Sequence, residues 1–398
     1  MKIALIREGK TPPDQRVALV PAQCQHLQAH FPPLEIWVQP SPHRAIPDQE
    51  YEAAGVSVRE DIAGAEVFFG VKEVPVEALI PEKTYLFFSH TIKKQPYNRD
   101  LLRAILQKNI RLIDYECLVD GHGQRVVAFG RYAGLVGAYN GLRAYGKRSG
   151  RFDLKPAHQC FDVQELYAAL QEVSLPPIRV ALTGTGRAGK GAEELLLRAG
   201  LTTVRPMDLV RHQFHEAVYA VLRSEDYYQL KPGFSHYPGQ FYEHPERFTS
   251  HFDTFYPHID LLITAHYWHP RAAALFSKAQ AAQPDFAPRV IADITCDVEG
   301  SVPINLQTST IAEPFYDYDP VEEKIKPPFS GDRHITLMTI DNLPSELPRD
   351  ASTAFGAQLL KHVFPALLGP HTEILERATI AQNGQLCPRF AYLADYVA

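Results

Sequence analysis

The sequence predicts an α/β protein of two Rossmann-like domains, each with a mainly parallel sheet, around a central cleft. Three observations carry this. Short apolar runs alternate with helical patterns over residues 1–137, the alternation that parallel sheets require. A strand, a glycine turn and a helix over residues 178–200 open a second alternation. At 398 residues the chain is long enough for two domains of ordinary size. The expected division is a substrate domain over 1–137, a nucleotide-binding domain over 138–342, and helices over 343–398 that return to the first domain.

In the first domain, strands are expected at residues 2–6, 34–38, 67–70, 85–89 and 110–114, with helices at Pro21–His30 and 97–108. Three of these strands end in polar groups. Lys72 and Glu73 follow the third, His90 and then Lys93 follow the fourth, and Glu116 follows the fifth. Ligands of open parallel sheets lie outside the carboxyl ends of the strands, so these groups are expected to converge on one crevice. The small-residue stretch 126–138 reads as a strand end running into a tightly packed helix.

In the second domain, the run Arg179–Thr183 is apolar enough for a buried parallel strand. Gly184, Gly186 and Gly189 follow in the spacing G-x-G-x-x-G, with Arg187 between them. Such glycines permit a tight turn, backbone approach to a pyrophosphate and close packing of helix on strand. A further strand is expected at 202–207, closing on Asp208, which lies 24 residues after Gly184. A carboxylate about 20 residues on commonly bonds the adenosine ribose. The order GTGRAGK does not fit a phosphate-hydrolysing P-loop. Residues 212–258 are rich in aromatics, histidine and proline and show no clean period. Strands at 259–265 and 290–294 place Tyr267 and Asp293 at carboxyl ends, where the cofactor would lie. A strand at 335–340 leads to Asp341, and a helix over 351–367 returns to the first domain.

A net charge of −6 provides no basic field, so nucleic acid is not an expected partner. The five cysteines, at 24, 117, 160, 296 and 387, form no C-x-x-C pair, which points to a reducing, cytoplasmic setting without a structural metal. The apolar run at residues 3–6 is too short for a signal peptide, and no run approaches the ~18 residues of a membrane span. The histidines 236, 244, 251, 258, 266 and 269 lack the H-E-x-x-H spacing, and no metal is expected. Self-association is not legible in the sequence.

The stretches GVKEVP (70–75), YLFFSHTIK (85–93), RLIDYECLVD (111–120), RVVAFGRYAG (125–134), IADITCD (291–297) and TIDNLPSELP (339–348) carry a family resemblance. Together they resemble the saccharopine dehydrogenase (lysine-forming) and lysine–ketoglutarate reductase family, related to alanine dehydrogenases and the transhydrogenase alpha subunit. Residues 242–268 resemble the lysine–ketoglutarate reductase branch. The resemblance implies hydride transfer with NAD(P), interconverting saccharopine with lysine and 2-oxoglutarate. It also implies residue roles. Lys72 would accept the amine proton in the oxidative direction, and His90 would serve imine hydrolysis and the carbinolamine steps. Glu73 and Glu116 would tune the charge cluster. Arg16 and Lys93, with Lys10 and Arg131 as further candidates, would hold substrate carboxylates, and Asp341 would lie near nicotinamide and substrate. Arg131 departs from the family pattern, which has a neutral residue there. Asp208 favours NAD, because a carboxylate repels a 2′-phosphate; Arg211 leaves NADP open. The alternatives are an alanine dehydrogenase-like reductive amination of another 2-oxo acid, or a non-catalytic nucleotide-binding protein. Lys72 and His90 together argue against the latter.

Overall fold

The computed structural model describes residues 1–11, 14–234 and 239–398. The chain forms two compact units, Met1–Phe129 with Pro348–Ala398, and Gly130–Leu347.

The first unit is built on strands β1 (Lys2–Leu5), β2 (Glu35–Val38), β3 (Ser57–Val58), β4 (Val67–Phe69), β5 (Thr84–Phe87) and β6 (Arg111–Asp114). They pair in parallel in the spatial order β6-β5-β4-β1-β2-β3. Two C-terminal strands continue the sheet, Thr379–Gln382 antiparallel to β6 and Gln385–Leu386 antiparallel to Thr379–Gln382, giving eight strands among the described residues. The returning segment therefore contributes sheet as well as the expected helix, here Pro348–His362. Phe355 of that helix stacks on Phe129 at 4.5 Å and meets Tyr115 edge-on at 5.1 Å. Phe68, Phe69, Tyr85 and Phe87 are fully buried in the centre of the sheet, as strands covered on both faces require.

The second unit contains β7 (Arg179–Thr183), β8 (Thr202–Thr203) and β9 (Val218–Leu222), followed by a separate antiparallel hairpin, β10 (Tyr228–Leu230) with β11 (Phe248–Ser250). Strands β12 (Leu261–Thr264), β13 (Val290–Asp293), β14 (Phe315–Asp319), β15 (Lys324–Lys326) and β16 (Ile335–Met338) complete its sheet. The order is β15-β14-β16-β13-β12-β7-β9-β8, eight strands among the described residues, with only β14 and β15 antiparallel to their neighbours.

Two features differ from the sequence expectation. The strand expected at 202–207 stops at Thr203, and Pro206 opens a helix, Pro206–Arg211. Proline at the first helical position has φ already set and needs no hydrogen-bond donor, and the Asp208 carboxylate accepts the Arg205 N–H at 3.3 Å across that first turn. The run VYAVL, inside the stretch without a clean period, forms β9 and inserts between β7 and β8.

The helix Gly130–Ser149 crosses the helix Arg187–Arg198 at close range. A Cβ on Gly134 would lie 1.8 Å from the Ala188 carbonyl oxygen, and one on Gly191 would lie 1.9 Å from that of Arg131. Gly134 thus makes the small-residue signature of 126–138 a packing requirement, and Gly191 meets it from the facing helix.

Candidate active site

In the first unit, β4, β5 and β6 are neighbours in space as well as in sequence, so their carboxyl ends open side by side. The Gly70 N–H donates to Leu86 and the Phe88 N–H to Val71, both at 3.0 Å, which keeps the 71–73 turn next to Ser89 and His90. Glu8, beyond the end of β1, pins that turn from the other side. Its two carboxylate oxygens accept the N–H groups of Val71 at 2.7 Å and Lys72 at 2.8 Å. Burial pushes the Glu8 carboxyl up to about 8, with Asp14 adding to the rise and the two N–H donors opposing it. Sequence reasoning missed Glu8; its position just past a strand end was the available signal.

Lys72 is half-buried, and its amine forms no hydrogen bond or ion pair among the described residues. Burial lowers its pKa, helped by the Arg16 and Lys10 cations and opposed by Asp14 and Glu73. Such a lysine reaches its neutral, proton-accepting form at a lower pH than an exposed one. His90 stands in the left-handed region at φ 52°, a backbone state uncommon outside glycine though one that histidine enters more often than most residues. Its Nδ1 lies 2.7 Å from Glu73 Oε1, and Lys10 Nζ lies 3.2 Å from Glu73 Oε2. Burial pushes the Glu73 carboxyl up, but the His90 bond, its own backbone N–H and Lys10 outweigh this and hold it down at about 2. A carboxylate so fixed orients the imidazole and leaves Nε2 for acid–base work.

Arg16 is 2% exposed, and its Nε and Nη2 donate to Asp14 at 2.9 and 2.6 Å. Its guanidinium also lies over the Phe129 ring at 4.2 Å. Asp14 was missed from the sequence, although an acid two residues from a buried arginine is its natural partner. Burial opposes ionisation of Asp14, but the Arg16 charge and hydrogen bonds hold its carboxyl well below the usual range. At the neighbouring strand end, Asp114 ties two motifs together: it accepts the N–H of Ser89 at 3.0 Å and that of Glu116 at 2.7 Å, and bonds the Ser89 hydroxyl. Glu116 Oε1 then faces Lys93 Nζ and Arg125 Nη2, each at 3.5 Å, while its Oε2 is buried without a partner among the described residues. The structure thus brings Lys10, Glu73 and His90 together, and Lys93 with Glu116.

In the second unit, a cavity of about 460 Å³ opens at the carboxyl ends of β7, β9 and β12, lined by Gly184, Gly186, Arg223, His266 and Tyr267 among others. Gly184 has φ +95°, and a Cβ there would lie 2.6 Å from the Ala265 oxygen; one on Gly189 would lie 2.1 Å from the Gly184 oxygen. Gly186 caps the helix Arg187–Arg198. His266 is 8% exposed, its Nδ1 lies 2.7 Å from Thr183 Oγ1, and its Nε2 has no partner among the described residues. Burial lowers it to about 4, so the ring is neutral at ordinary pH. A dinucleotide fits these residues. Gly184 and Gly189 admit no side chain, a helix N-terminus stands behind the turn, and a buried nitrogen without a partner among the described residues lies in the wall.

The other expected residues lie apart from this cavity. Asp208 sits in the helix beyond edge strand β8, with Arg205 Nε at 3.1 Å. Asp293 is buried and accepts from Thr264 at 2.6 Å, Thr295 at 2.5 Å and Asn305 at 2.9 Å, which fixes the ends of β12 and β13. Arg131 forks onto Glu194 at 2.8 and 2.6 Å, and Tyr167 donates to the same carboxylate at 2.7 Å. This braces the helix Gly130–Ser149 on the helix Arg187–Arg198. Asp341 is exposed, with Cys296 Sγ 3.8 Å from its Oδ1. Arg187 is exposed at the start of its helix. Among the described residues, no group of three or more His, Cys, Asp or Glu is placed to hold a metal ion, and no helix is long and apolar enough to cross a membrane. His236 lies outside the described residues.

Residues 4–136 match the family described as alanine dehydrogenase/PNT, N-terminal domain. The chain is 34% identical to the mitochondrial alpha-aminoadipic semialdehyde synthase of Bos taurus over 98% of its own length and 47% of that protein. It therefore spans about half the length of this curated relative. It is 27% identical to the saccharopine dehydrogenase (NAD(+), L-lysine-forming) of Candida glabrata, over 90% of this chain and 91% of that one. Among solved structures, an L-alanine dehydrogenase superposes with a TM-score of 0.68 at 17% identity, covering 100% of both chains. A transhydrogenase from Sinorhizobium meliloti superposes with a TM-score of 0.62 at 13% identity, covering 97% of this chain and 100% of that one. These two share the fold.

Proposed function

We propose that this chain, whose residues 4–136 match the alanine dehydrogenase/PNT N-terminal domain family, is a pyridine-nucleotide-dependent oxidoreductase interconverting saccharopine with lysine and 2-oxoglutarate. One observation carries the chemistry: a half-buried amine, Lys72, with lowered pKa and no partner among the described residues, on the same turn as Glu73, the carboxylate that orients His90. The name of the Candida glabrata relative, a saccharopine dehydrogenase forming L-lysine, supports the substrate class.

In the reductive direction, the ε-amine of lysine adds to the keto carbon of 2-oxoglutarate and gives a carbinolamine. His90, held by Glu73, protonates the departing hydroxyl, and water leaves behind an imine. A nicotinamide nucleotide, when bound by the second unit, supplies the hydride that reduces the imine carbon. In reverse, neutral Lys72 takes the proton from the secondary ammonium of saccharopine, and His90 activates the water that adds to the imine. The substrates bring several carboxylates, and Lys93, half exposed beside Glu116, is the cation offered to one of them. Arg16, buried against Asp14, acts through its charge by keeping Lys72 neutral more readily. Turnover of NADH or NADPH by the purified chain tests this reading, since it should require lysine and 2-oxoglutarate together. Turnover with pyruvate and ammonia alone would favour the alanine dehydrogenase-like alternative. Nucleotide binding without any turnover would favour a non-catalytic protein.

A further inference from the structure

In the common dinucleotide-binding order, the strand that follows the fingerprint helix in sequence also lies beside the fingerprint strand. The residue at its carboxyl end then reads the adenosine ribose. This chain breaks that correspondence. The next strand in sequence, β8, pairs only with β9 at the sheet edge, and β9 takes the place beside β7. Thr183 pairs with Leu222, and the Gly184 N–H donates to the Leu222 carbonyl at 2.9 Å. Arg223 therefore leaves the sheet beside the first glycine of the fingerprint, where the ribose-reading residue belongs. Arg223, Ser224 and Glu225 line the same cavity as Gly184, Gly186 and His266; Asp208 does not.

We propose that Arg223, with the Ser224 hydroxyl beside it, reads the 2′ position of the adenosine ribose and selects the 2′-phosphorylated dinucleotide, NADPH, over NADH. This rests on the nucleotide-binding reading of the second unit. A guanidinium presents a planar fork that suits phosphate, whereas NAD sites place a carboxylate at this position. The turn that carries Arg223 is fixed, because its N–H donates to Asp226 Oδ2 at 2.7 Å. The side chain is 67% exposed, and its ion pair with Glu225 spans 3.8 Å. Such an open pair holds the guanidinium weakly, and a dianionic phosphate displaces the carboxylate.

The test is the dissociation constant of the full chain for NADPH and for NADH, read by nicotinamide fluorescence without amino or oxo acid. The wild type is expected to bind NADPH more tightly. Arg223→Ala should weaken NADPH by ~10-fold or more, the size of one charge-assisted hydrogen bond, and leave NADH unchanged, which also reports correct folding. Arg223→Lys should keep part of the preference. Tighter NADH binding by the wild type, or an unchanged ratio in Arg223→Ala (loss of both nucleotides included), would overturn the proposal. A chain that binds NADPH as expected yet turns over no amino acid would sink the saccharopine reading and leave this one standing; failure to bind either nucleotide would sink both.

Discussion

The two candidate sites are built in opposite ways. The first unit gathers titratable side chains: Glu8, Lys10, Glu73 and His90 around the Lys72 turn, with Asp14 and Arg16 buried behind them. The second unit forms its cavity around the glycine turn, with aromatic rings such as Tyr227 and Tyr267, the neutral ring of His266 and the Arg223–Glu225 turn in its walls. Changes in the first should therefore alter chemistry and pH dependence, and changes in the second should alter which nucleotide binds. The two also differ in how chain order maps to space. Strands β4, β5 and β6 are consecutive in both, whereas β8 and β9 exchange places.

The contrast is broken most directly at Lys72. Lys72→Met is expected to cut turnover by ~10²–10⁴-fold, the range of a general acid–base group, while NADPH affinity measured without substrate stays unchanged. Intact turnover would remove Lys72 from the mechanism.

Arg16→Leu should come next. It leaves Asp14 buried without its cation, at a cost of about 3–5 kcal/mol of folding stability in denaturant titration. It also removes a charge that lowers the Lys72 pKa, so that pKa rises. The alkaline rise of oxidative turnover should then move to higher pH; movement to lower pH would contradict the electrostatic account.

This cluster was legible in the sequence because side chains at the ends of adjacent parallel strands have only one crevice to enter. Lys72, Glu73, His90, Lys93 and Glu116 could be named from strand order alone. Glu8 also follows a strand end but was passed over, and Asp14 lies before the first helix rather than at a strand end; each acts by satisfying a neighbour rather than by chemistry of its own. In the second unit, Gly184, Gly186 and Tyr267, named from the sequence, line the cavity, whereas Asp208 lies outside it. Spacing pointed to Asp208, yet Pro206 turned the chain helical and β9 took the inner place. Nothing in the spacing of Arg131 indicated that Glu194, in the fingerprint helix, would engage its guanidinium.

A smaller effect should follow from Glu73→Gln. The folded pKa of Glu73, about 2, lies below its unfolded value of 4.5. Its contribution is therefore present above pH 4.5 and lost as the pH falls toward 2, on the order of 2 kcal/mol. The variant should show a flatter stability profile across that window, and an unchanged slope would mean that Glu73 is not held ionised by His90 and Lys10. The smallest effect belongs to Asp208→Ala, which is expected to leave the ratio of NADPH to NADH affinity unchanged. A shift in that ratio would return the ribose contact to the helix beyond β8 and undo the contrast in strand order.

The reaction is tested by following the oxidation of NADPH and NADH by the purified chain in the nicotinamide absorbance. Oxidation that requires lysine and 2-oxoglutarate together, and that is lost in Lys72→Met, is the expected result. Oxidation supported by pyruvate and ammonia alone, or none with any amino acid, would contradict it.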